Sequence, residues 1–241
     1  MKPTTESAPL LVFGAHPDDI EFGCGGVIAG EAQRGRKINF VVCSRGESAT
    51  NGTPRQRTAE AKKGAALLGA SLEFIDLGGD AHFEAQVAHV VTLAGIIRRL
   101  RPGIVLAPTT VEKQHPDHAA LGKMVRDAAR LARYGGVREL RPRPAHAIGA
   151  LLHYAISVEG EPHGEIPVLV DVSAPPVLEA WTNSMLAHAT QAQTRHYCEL
   201  QRARASVNGA RCGVAAAMAL FPADPIVVES LAALGRGTRQ F

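Results

Sequence analysis

Two short runs of histidine and aspartate, roughly a hundred residues apart, hold the side chains best suited to chemistry. The first is His16-Pro17-Asp18-Asp19 and the second is His115-Pro116-Asp117-His118. Each run combines imidazole and carboxylate groups and follows a short apolar stretch. Two imidazoles and one carboxylate form a common catalytic zinc set with a coordination position left for water. A metal in such a set lowers the pKa of bound water towards ~7 and polarises a carbonyl oxygen.

The two runs contain more donor groups than a three-ligand site needs. Asp18 and Asp19 are adjacent, so one can bind a metal while the other acts as a general base on water. Likewise, His118 can bind the metal while His115 supplies a proton to a leaving amine, with Asp117 orienting an imidazole. Ligands together with an acid and a base predict metal-assisted hydrolysis.

Strand and helix signals alternate along the first half of the chain. Apolar runs predict strands at 10–14, 38–43, 72–77 and 104–107. Helical spacing and end signals predict helices over about 25–36, 54–68, 87–101 and from about 121. Four β–α units in succession predict an α/β fold of the Rossmann-like, three-layer kind, with a mostly parallel, doubly wound sheet.

The second half of the chain has a looser pattern. Two further strands are predicted at 147–156 and 167–172, and the chain from residue 173 onward is predicted to be mainly helical. We expect a single domain over 1–241, with a core of about 9–191 and a C-terminal helical extension of about 192–241. If strands one and four are neighbours, the two histidine–aspartate runs meet at the switch point, where open α/β sheets bind ligands.

Composition argues against several classes of protein. The net charge of +3 and the pI near 8.8 come from scattered arginines, which gives little support to a nucleic-acid or membrane-surface partner. The longest apolar run is far too short to span a membrane, and no signal peptide is expected. The four cysteines show no CxxC spacing and fit free thiols in a reducing, cytoplasmic environment.

The glycines after the first run do not form a nucleotide-binding loop. Gly23, Gly25 and Gly26 lack the G-x-G-x-x-G spacing, and 16–19 occupies the turn where a phosphate would sit. We therefore expect these glycines to allow close packing of a helix.

The motifs resemble those of a known family. Gly14-Ala15-His16-Pro17-Asp18-Asp19-Ile20-Glu21, the glycines that follow and the run 115–118 closely resemble the PIG-L/LmbE-like zinc deacetylases. The resemblance continues through 45–47, 51–54 and 167–173 and covers roughly 10–191. These enzymes remove the acetyl group from substrates that contain N-acetylglucosamine. The Asn51-Gly52-Thr53 run adds to a likeness to the branch with deacetylases of bacillithiol-type thiol synthesis.

The resemblance implies a metal site and its occupant. His16, Asp19 and His118 are the implied ligands, and one divalent metal per chain is the implied cofactor. Zinc is the expected metal, although two histidines and one aspartate also accept Fe²⁺, cobalt or manganese. The implied partner is a small N-acetylated sugar conjugate, and relatives suggest a homo-oligomer.

The same resemblance implies roles for the neighbouring residues. Asp18 is the implied general base, and His115 the implied general acid or oxyanion donor, oriented by Asp117. Arg57 and Glu47 are the implied substrate-binding residues. The chain departs from the family at 77–83, which replaces a Pro-Asp-Gly type turn, so the usual sugar is not assumed.

Other functions fit parts of the pattern. An amidase of the same family could act on a non-sugar or thiol-conjugate amide. His16-x-Asp18 with a distant histidine also satisfies the facial triad of mononuclear iron oxygenases, which usually form on an antiparallel barrel. A binding module that keeps a metal without catalysis is the third alternative, although structural zinc normally has four protein ligands.

Overall fold

A computed structural model describes residues 8–192 and 196–238 of the chain. Strands and helices alternate over most of this length. The strands are β1 (Leu10–Gly14), β2 (Ile38–Val42), β3 (Ala70–Phe74), β4 (Ile104–Pro108), β5 (Ala150–Tyr154), β6 (Val168–Asp171) and β7 (Ala217–Pro222). The helices are α1 (Asp19–Gln33), α2 (Pro54–Leu67), α3 (Val87–Leu100), α4 (Pro116–Arg133), α5 (Pro175–Leu186), α6 (Ala189–Ala192) and α7 (Tyr197–Cys212).

The strands form one sheet in the order β3-β2-β1-β4-β5-β7-β6. The first five positions pair in parallel, and β7 pairs antiparallel with both β5 and β6. Strand β1 pairs with β4 in a register that places Leu10 beside Ile104. The predicted doubly wound, mostly parallel α/β sheet is therefore confirmed, and so is the adjacency of the first and fourth strands.

Strand β1 shows why the sequences of the central strands are nearly continuous apolar runs. Its side chains alternate between two cores, and all are buried. Leu10 and Val12 pack with α1, α5 and α7 on one face of the sheet. Leu11 and Phe13 pack with α3 and α4 on the other face. A strand covered on both faces is favoured by a nearly continuous run of apolar side chains.

Glycines bring the first turns of α1 close to the core. A Cβ on Gly23 would overlap the ring of Tyr154, and one on Gly25 would lie 2.7 Å from the indole of Trp181. The Trp181 indole N–H donates to the Glu21 carbonyl oxygen at 2.8 Å. The expected packing role of these glycines is confirmed, and it fixes the end of α1 that follows β1.

A buried guanidinium ties α3 to the end of α4. Arg98 is only 2% exposed. Its nitrogens donate to the carbonyl oxygens of Ala132, Tyr134, Leu140 and Arg143 over 2.6–2.9 Å. The side chain thus supplies additional donors to carbonyl groups at the end of α4 and in the segment that follows it, where no further helical turn can provide them.

The structure corrects the expectation of a helical extension over 192–241. Residues 217–222 form β7 inside the sheet, so the sheet extends beyond the predicted core of 9–191. The sequence before Pro222 is rich in alanine, a strong helix former, but hydrogen bonding to two neighbouring strands overrides that preference. The first helix also begins at Asp19 rather than near Gly25.

Among the described residues, no helix is both long enough and apolar enough to cross a membrane.

Candidate metal and catalytic site

The two histidine–aspartate runs meet at the carboxyl ends of β1 and β4. His16 and Asp18 lie in the turn after β1, and Asp19 is the first residue of α1. His115 is the N-cap of α4, and His118 lies in the first turn of that helix. Because β1 and β4 are parallel neighbours, the two turns face one another across the switch point of the sheet.

Three ligand atoms converge between the two runs. His16 Nδ1 lies 3.1 Å from His118 Nε2, which in turn lies 3.1 Å from Asp19 Oδ1. His16 Nδ1 lies 3.5 Å from the other oxygen of Asp19. All three residues are at least 94% buried.

The backbone of the turn holds the Asp19 carboxylate in place. Its Oδ2 accepts the N–H groups of Ala15 and His16, each at 2.9 Å. These two bonds leave Oδ1 directed at the His118 ring. One oxygen therefore braces the loop while the other remains available as a ligand.

The second nitrogen of each imidazole has its own partner. His16 Nε2 lies 3.0 Å from Asp80 Oδ1 and 3.2 Å from Asp117 Oδ2. Ionised carboxylates can only accept hydrogen bonds, so the proton of neutral His16 belongs on Nε2 and its lone pair on Nδ1. His118 Nδ1 lies 3.0 Å from Gln114 Oε1, which favours the opposite tautomer in that ring.

The convergent atoms fit a divalent metal. Ligand atoms held at 2.0–2.1 Å around a tetrahedral zinc lie about 3.3 Å apart, close to the 3.1 Å that separates His118 Nε2 from both His16 Nδ1 and Asp19 Oδ1. Other ligand atoms cluster within 4.8 Å nearby, in a group of His16, His115 and His118 and in a group of His16, Asp80 and Asp117. One residue of each group is also held by the backbone, because His115 Nδ1 accepts the Asp117 N–H and Asp117 Oδ2 accepts the Ala81 N–H.

Strong electrostatic coupling links the convergent groups. Burial alone would raise the pKa of Asp19, but the facing His118 and His16 hold it well below its ordinary value. Burial would lower the pKa of His16, yet Asp19, Asp117 and Asp80 hold it well above its ordinary value. A cation bound among these atoms takes the place of such protons, so binding releases them.

Asp18 is next to the predicted ligand Asp19 in the chain, but its carboxylate pairs with Arg57. Its Oδ2 pairs with Arg57 Nη2 at 3.2 Å, and its backbone has a left-handed φ of 114°. Burial raises the pKa of Asp18 to about 6, against the opposing effect of Arg57. Backbone strain of this kind persists where surrounding contacts enforce it and is common at functional sites.

Arg57 and Glu47, the two expected substrate contacts, occupy different places. Arg57 is 5% exposed, lines the cavity described below, and donates from Nη2 to the Pro17 carbonyl oxygen at 2.8 Å. Glu47 does not line that cavity. Its oxygens accept the N–H groups of Arg45 and Asp80 at 2.9 and 3.2 Å. These contacts brace two loops, and the substrate role of Glu47 stays a prediction.

Asp117 holds a different imidazole from the one expected. Its carboxylate contacts His16 and accepts the Ala81 N–H at 2.7 Å. His115 instead takes the backbone N–H of Asp117 on its Nδ1 at 3.2 Å. The proton of neutral His115 therefore belongs on Nε2. Burial, followed by the nearby His16 and His118, lowers the pKa of His115.

A cavity of about 330 Å³ opens over these groups. Besides the histidines and aspartates, its lining includes six uncharged polar side chains, those of Ser48, Thr50, Gln114, Ser157, Gln191 and Gln201. Apolar walls come from Phe22, Ile156, Tyr197 and Leu200. Among the lining residues that the structure describes, Arg57 carries the only permanent positive charge.

Sequence reasoning missed two residues that contact the imidazoles. Asp80 lies in the divergent loop 77–83, where the N–H groups of Gly78 and Gly79 donate to Asp76 Oδ1 and both glycines have a positive φ. Gln114 directly precedes the second run, four residues before His118. That i, i+4 spacing was the available signal for Gln114, whereas Asp80 depends on the fold of its loop.

The family comparison agrees with this geometry. Residues 11–129 match the family model described as PIG-L, GlcNAc-PI de-N-acetylase. This chain carries a PIG-L family domain. The matched segment runs from β1 into α4 and so contains both histidine–aspartate runs. The parallel sheet of the PIG-L domain also differs from the antiparallel barrel on which the iron-oxygenase alternative depends.

Proteins similar to this PIG-L chain include two kinds of enzyme. A 4-oxalmesaconate hydratase of Pseudomonas putida is 32% identical over 146 residues, a match that spans only 56% of each chain. A 1D-myo-inositol 2-acetamido-2-deoxy-alpha-D-glucopyranoside deacetylase of Tsukamurella paurometabola is 26% identical and covers 95% of this chain and 93% of its own. The conserved protein TT1542 of Thermus thermophilus superposes with a TM-score of 0.78 at 28% identity, covering 92% of this chain and 97% of its own.

Proposed function

We propose that this chain is a metal-dependent N-deacetylase that hydrolyses the acetamido group of an N-acetylglucosamine-type conjugate. His16, Asp19 and His118 would hold the metal, and Asp18 would act as the general base. The products are acetate and a free amine. The similarity to the inositol-linked glucosaminide deacetylase over nearly the whole chain supports this class of substrate.

One observation carries the proposal. Two imidazole nitrogens and one carboxylate oxygen converge, with His118 Nε2 at 3.1 Å from both His16 Nδ1 and Asp19 Oδ1, while a second carboxylate, that of Asp18, lines the same cavity and pairs with Arg57. A site that only stores a metal has no need for this spare base. A hydrolase needs one to take a proton from water.

The proposed chemistry assigns one task to each group. A divalent metal held there would increase the acidity of a water and polarise the acetyl carbonyl. Asp18 takes a proton from the attacking water, whose oxygen bonds to the acetyl carbon. The Nε2–H of His115 donates to the carbonyl oxygen as negative charge develops there. The C–N bond then breaks as Asp18 gives the proton that it took from water to the amine nitrogen, and acetate leaves with the oxygen of that water.

Arg57 keeps the base in position in this scheme. Its guanidinium contacts both the Asp18 carboxylate and the Pro17 carbonyl oxygen, so it anchors the turn that carries the base. A cation at this distance also favours the ionised form of a carboxylate, which is the form that accepts a proton.

Water addition to a carboxylate substrate is the second candidate, because one relative is a hydratase. The lining favours the deacetylase. In the described part of the cavity Arg57 is the only guanidinium, and it is already paired with Asp18. A polyanionic substrate would meet Asp18, Asp19 and Asp80 with little compensating charge. Amide and hydroxyl side chains suit a neutral sugar better.

Acetate release from a substrate panel tests the proposal. The panel holds N-acetylglucosamine linked to inositol, to malate and to a second sugar, together with an unsaturated dicarboxylate. We expect acetate and amine in equal amounts from the neutral conjugates, loss of activity after chelation, and recovery with Zn²⁺ or Fe²⁺. No acetate from any acetamido compound, or hydration of the dicarboxylate instead, would overturn the assignment.

A further inference from the structure

We propose that Gln114 is a positioning residue that selects the tautomer of His118, an inference that rests on the proposed metal-dependent function. The amide of Gln114 holds the proton of the His118 ring on Nδ1. The lone pair on Nε2 is then directed at the point shared with His16 and Asp19.

The hydrogen bonds around His118 define this role. Gln114 Oε1 lies 3.0 Å from His118 Nδ1, and an amide oxygen can only accept. The other nitrogen, Nε2, lies 3.1 Å from both His16 Nδ1 and Asp19 Oδ1. With the proton on Nδ1, all three convergent atoms present lone pairs, which is the arrangement that a metal requires.

The Gln114 amide lies beside the turn that contains Gly160. Gln114 is half-buried, and the nearby turn includes the buried Gly160, where an added Cβ would lie 3.4 Å from Gln114 Oε1. Thr109 Oγ1 donates to the Gly160 carbonyl oxygen at 2.6 Å and fixes that turn. The turn at Gly160 therefore lies close to the amide oxygen, which accepts from His118 Nδ1.

The two proposed ligand histidines differ in the charge of their outer partners. Two carboxylates, those of Asp80 and Asp117, face His16 Nε2. His118 faces a neutral amide instead. A carboxylate partner raises the basicity of a ligating imidazole. The amide therefore fixes the His118 tautomer without adding another negative charge to a site that already contains Asp18, Asp19, Asp80 and Asp117.

Metal affinity and histidine tautomers, measured without substrate, test this inference. Gln114→Leu keeps the side-chain size but removes the acceptor, so the Kd for Zn²⁺ should rise about 10–100-fold in competition with a chromophoric chelator. Gln114→Glu keeps the acceptor and should bind Zn²⁺ at least as tightly as the wild type. Gln201→Leu makes the same chemical change at a cavity residue whose amide contacts Ile156 and Arg204, and it should leave the Kd within about twofold.

Long-range ¹⁵N–¹H NMR of the Zn²⁺-loaded protein reports the tautomers directly. We expect the proton of His118 on Nδ1 and that of His16 on Nε2. A His118 proton on Nε2, or a Gln114→Leu variant that binds Zn²⁺ as tightly as the wild type, would overturn the inference. A protein that gives the expected tautomers and affinities but releases no acetate would refute the proposed function and leave the role of Gln114 intact.

Discussion

Replacing Asp18 and Asp19 by asparagine, one at a time, should separate turnover from metal binding. The two residues are adjacent and both are charged, yet their contacts differ. Asp18 pairs with Arg57, whereas Asp19 faces His118 and accepts two backbone N–H groups. The same chemical change therefore removes a base at one position and a ligand at the next.

At Asp18 the change should reduce kcat/KM and leave metal content unchanged. A general base contributes about 10²–10⁴-fold, which corresponds to about 3–5 kcal/mol of activation free energy at 1.36 kcal/mol per decade. The asparagine oxygen can still accept from Arg57, so the turn should keep its shape.

At Asp19 the change should abolish metal binding without unfolding the protein. The asparagine oxygen can take the place of Oδ2 and accept the Ala15 and His16 N–H groups. Its NH₂ group then faces His118 Nε2 and donates to the lone pair that a metal would use. Loss of an outer partner alone costs about 10–100-fold in affinity, and loss of a ligand should cost at least the upper end of that range.

Three measurements on each variant decide the matter: metal content by mass spectrometry after reconstitution, acetate release, and thermal unfolding. Equal metal loss in both variants would refute the division between base and ligand. So would a fully metallated Asp18→Asn that keeps more than about a tenth of wild-type turnover.

Three further predictions concern the fold. Arg98→Met removes the four hydrogen bonds that a buried guanidinium makes to carbonyl oxygens, and it should lower the free energy of unfolding by about 2–4 kcal/mol in urea. The matched Arg99→Met on the exposed side of α3 should change it by less than about 1 kcal/mol, and equal effects would contradict the role of Arg98 in tying α3 to α4. Burial lowers the pKa of His153 in the folded protein. As pH falls below about 6.5, the unfolded chain therefore protonates this imidazole before the folded protein does, and stability is lost. The free energy of unfolding should fall more between pH 7.5 and 5.5 in the wild type than in His153→Asn, and the same fall in both would refute this. Gly23→Ala places a methyl group against the Tyr154 ring and should lower the free energy of unfolding, measured by thermal unfolding, by about 1–3 kcal/mol. A variant as stable as the wild type would contradict the close packing of α1.

The sequence was most informative where local pattern and chain topology reinforce one another. Strands β1 and β4 are apolar at every position, β2 is apolar except at Asn39, and the first four strands alternate with helices, so the parallel sheet could be predicted. The meeting of His16 with His118 followed from that sheet, because neighbouring parallel strands end at the same edge. The β7 segment was predicted wrongly, since its alanines favour a helix until β5 and β6 supply hydrogen-bond partners.

Within the site, residue types could be predicted but their partners could not. Which imidazole Asp117 contacts depends on its side-chain conformation, and the structure gives His16 rather than His115. Asp80 reaches the site only through a loop whose glycines adopt positive φ. Glu47 is in a family motif, yet its oxygens serve backbone N–H groups of nearby loops. Such contacts depend on the tertiary path of loops, which no local pattern records.

The position of β7 has a consequence for the order in which this protein can assemble during synthesis. Within the described sheet β6 hydrogen-bonds to β7 alone, and 45 residues, 172–216, separate the two strands in the chain. At about 5–20 residues per second, the ribosome needs roughly 2–9 seconds to add that segment. During this interval β6 is a strand without a neighbour, exposed to pairing with other nascent chains. Translation speed between α5 and β7 should therefore influence how much of this protein folds and how much aggregates.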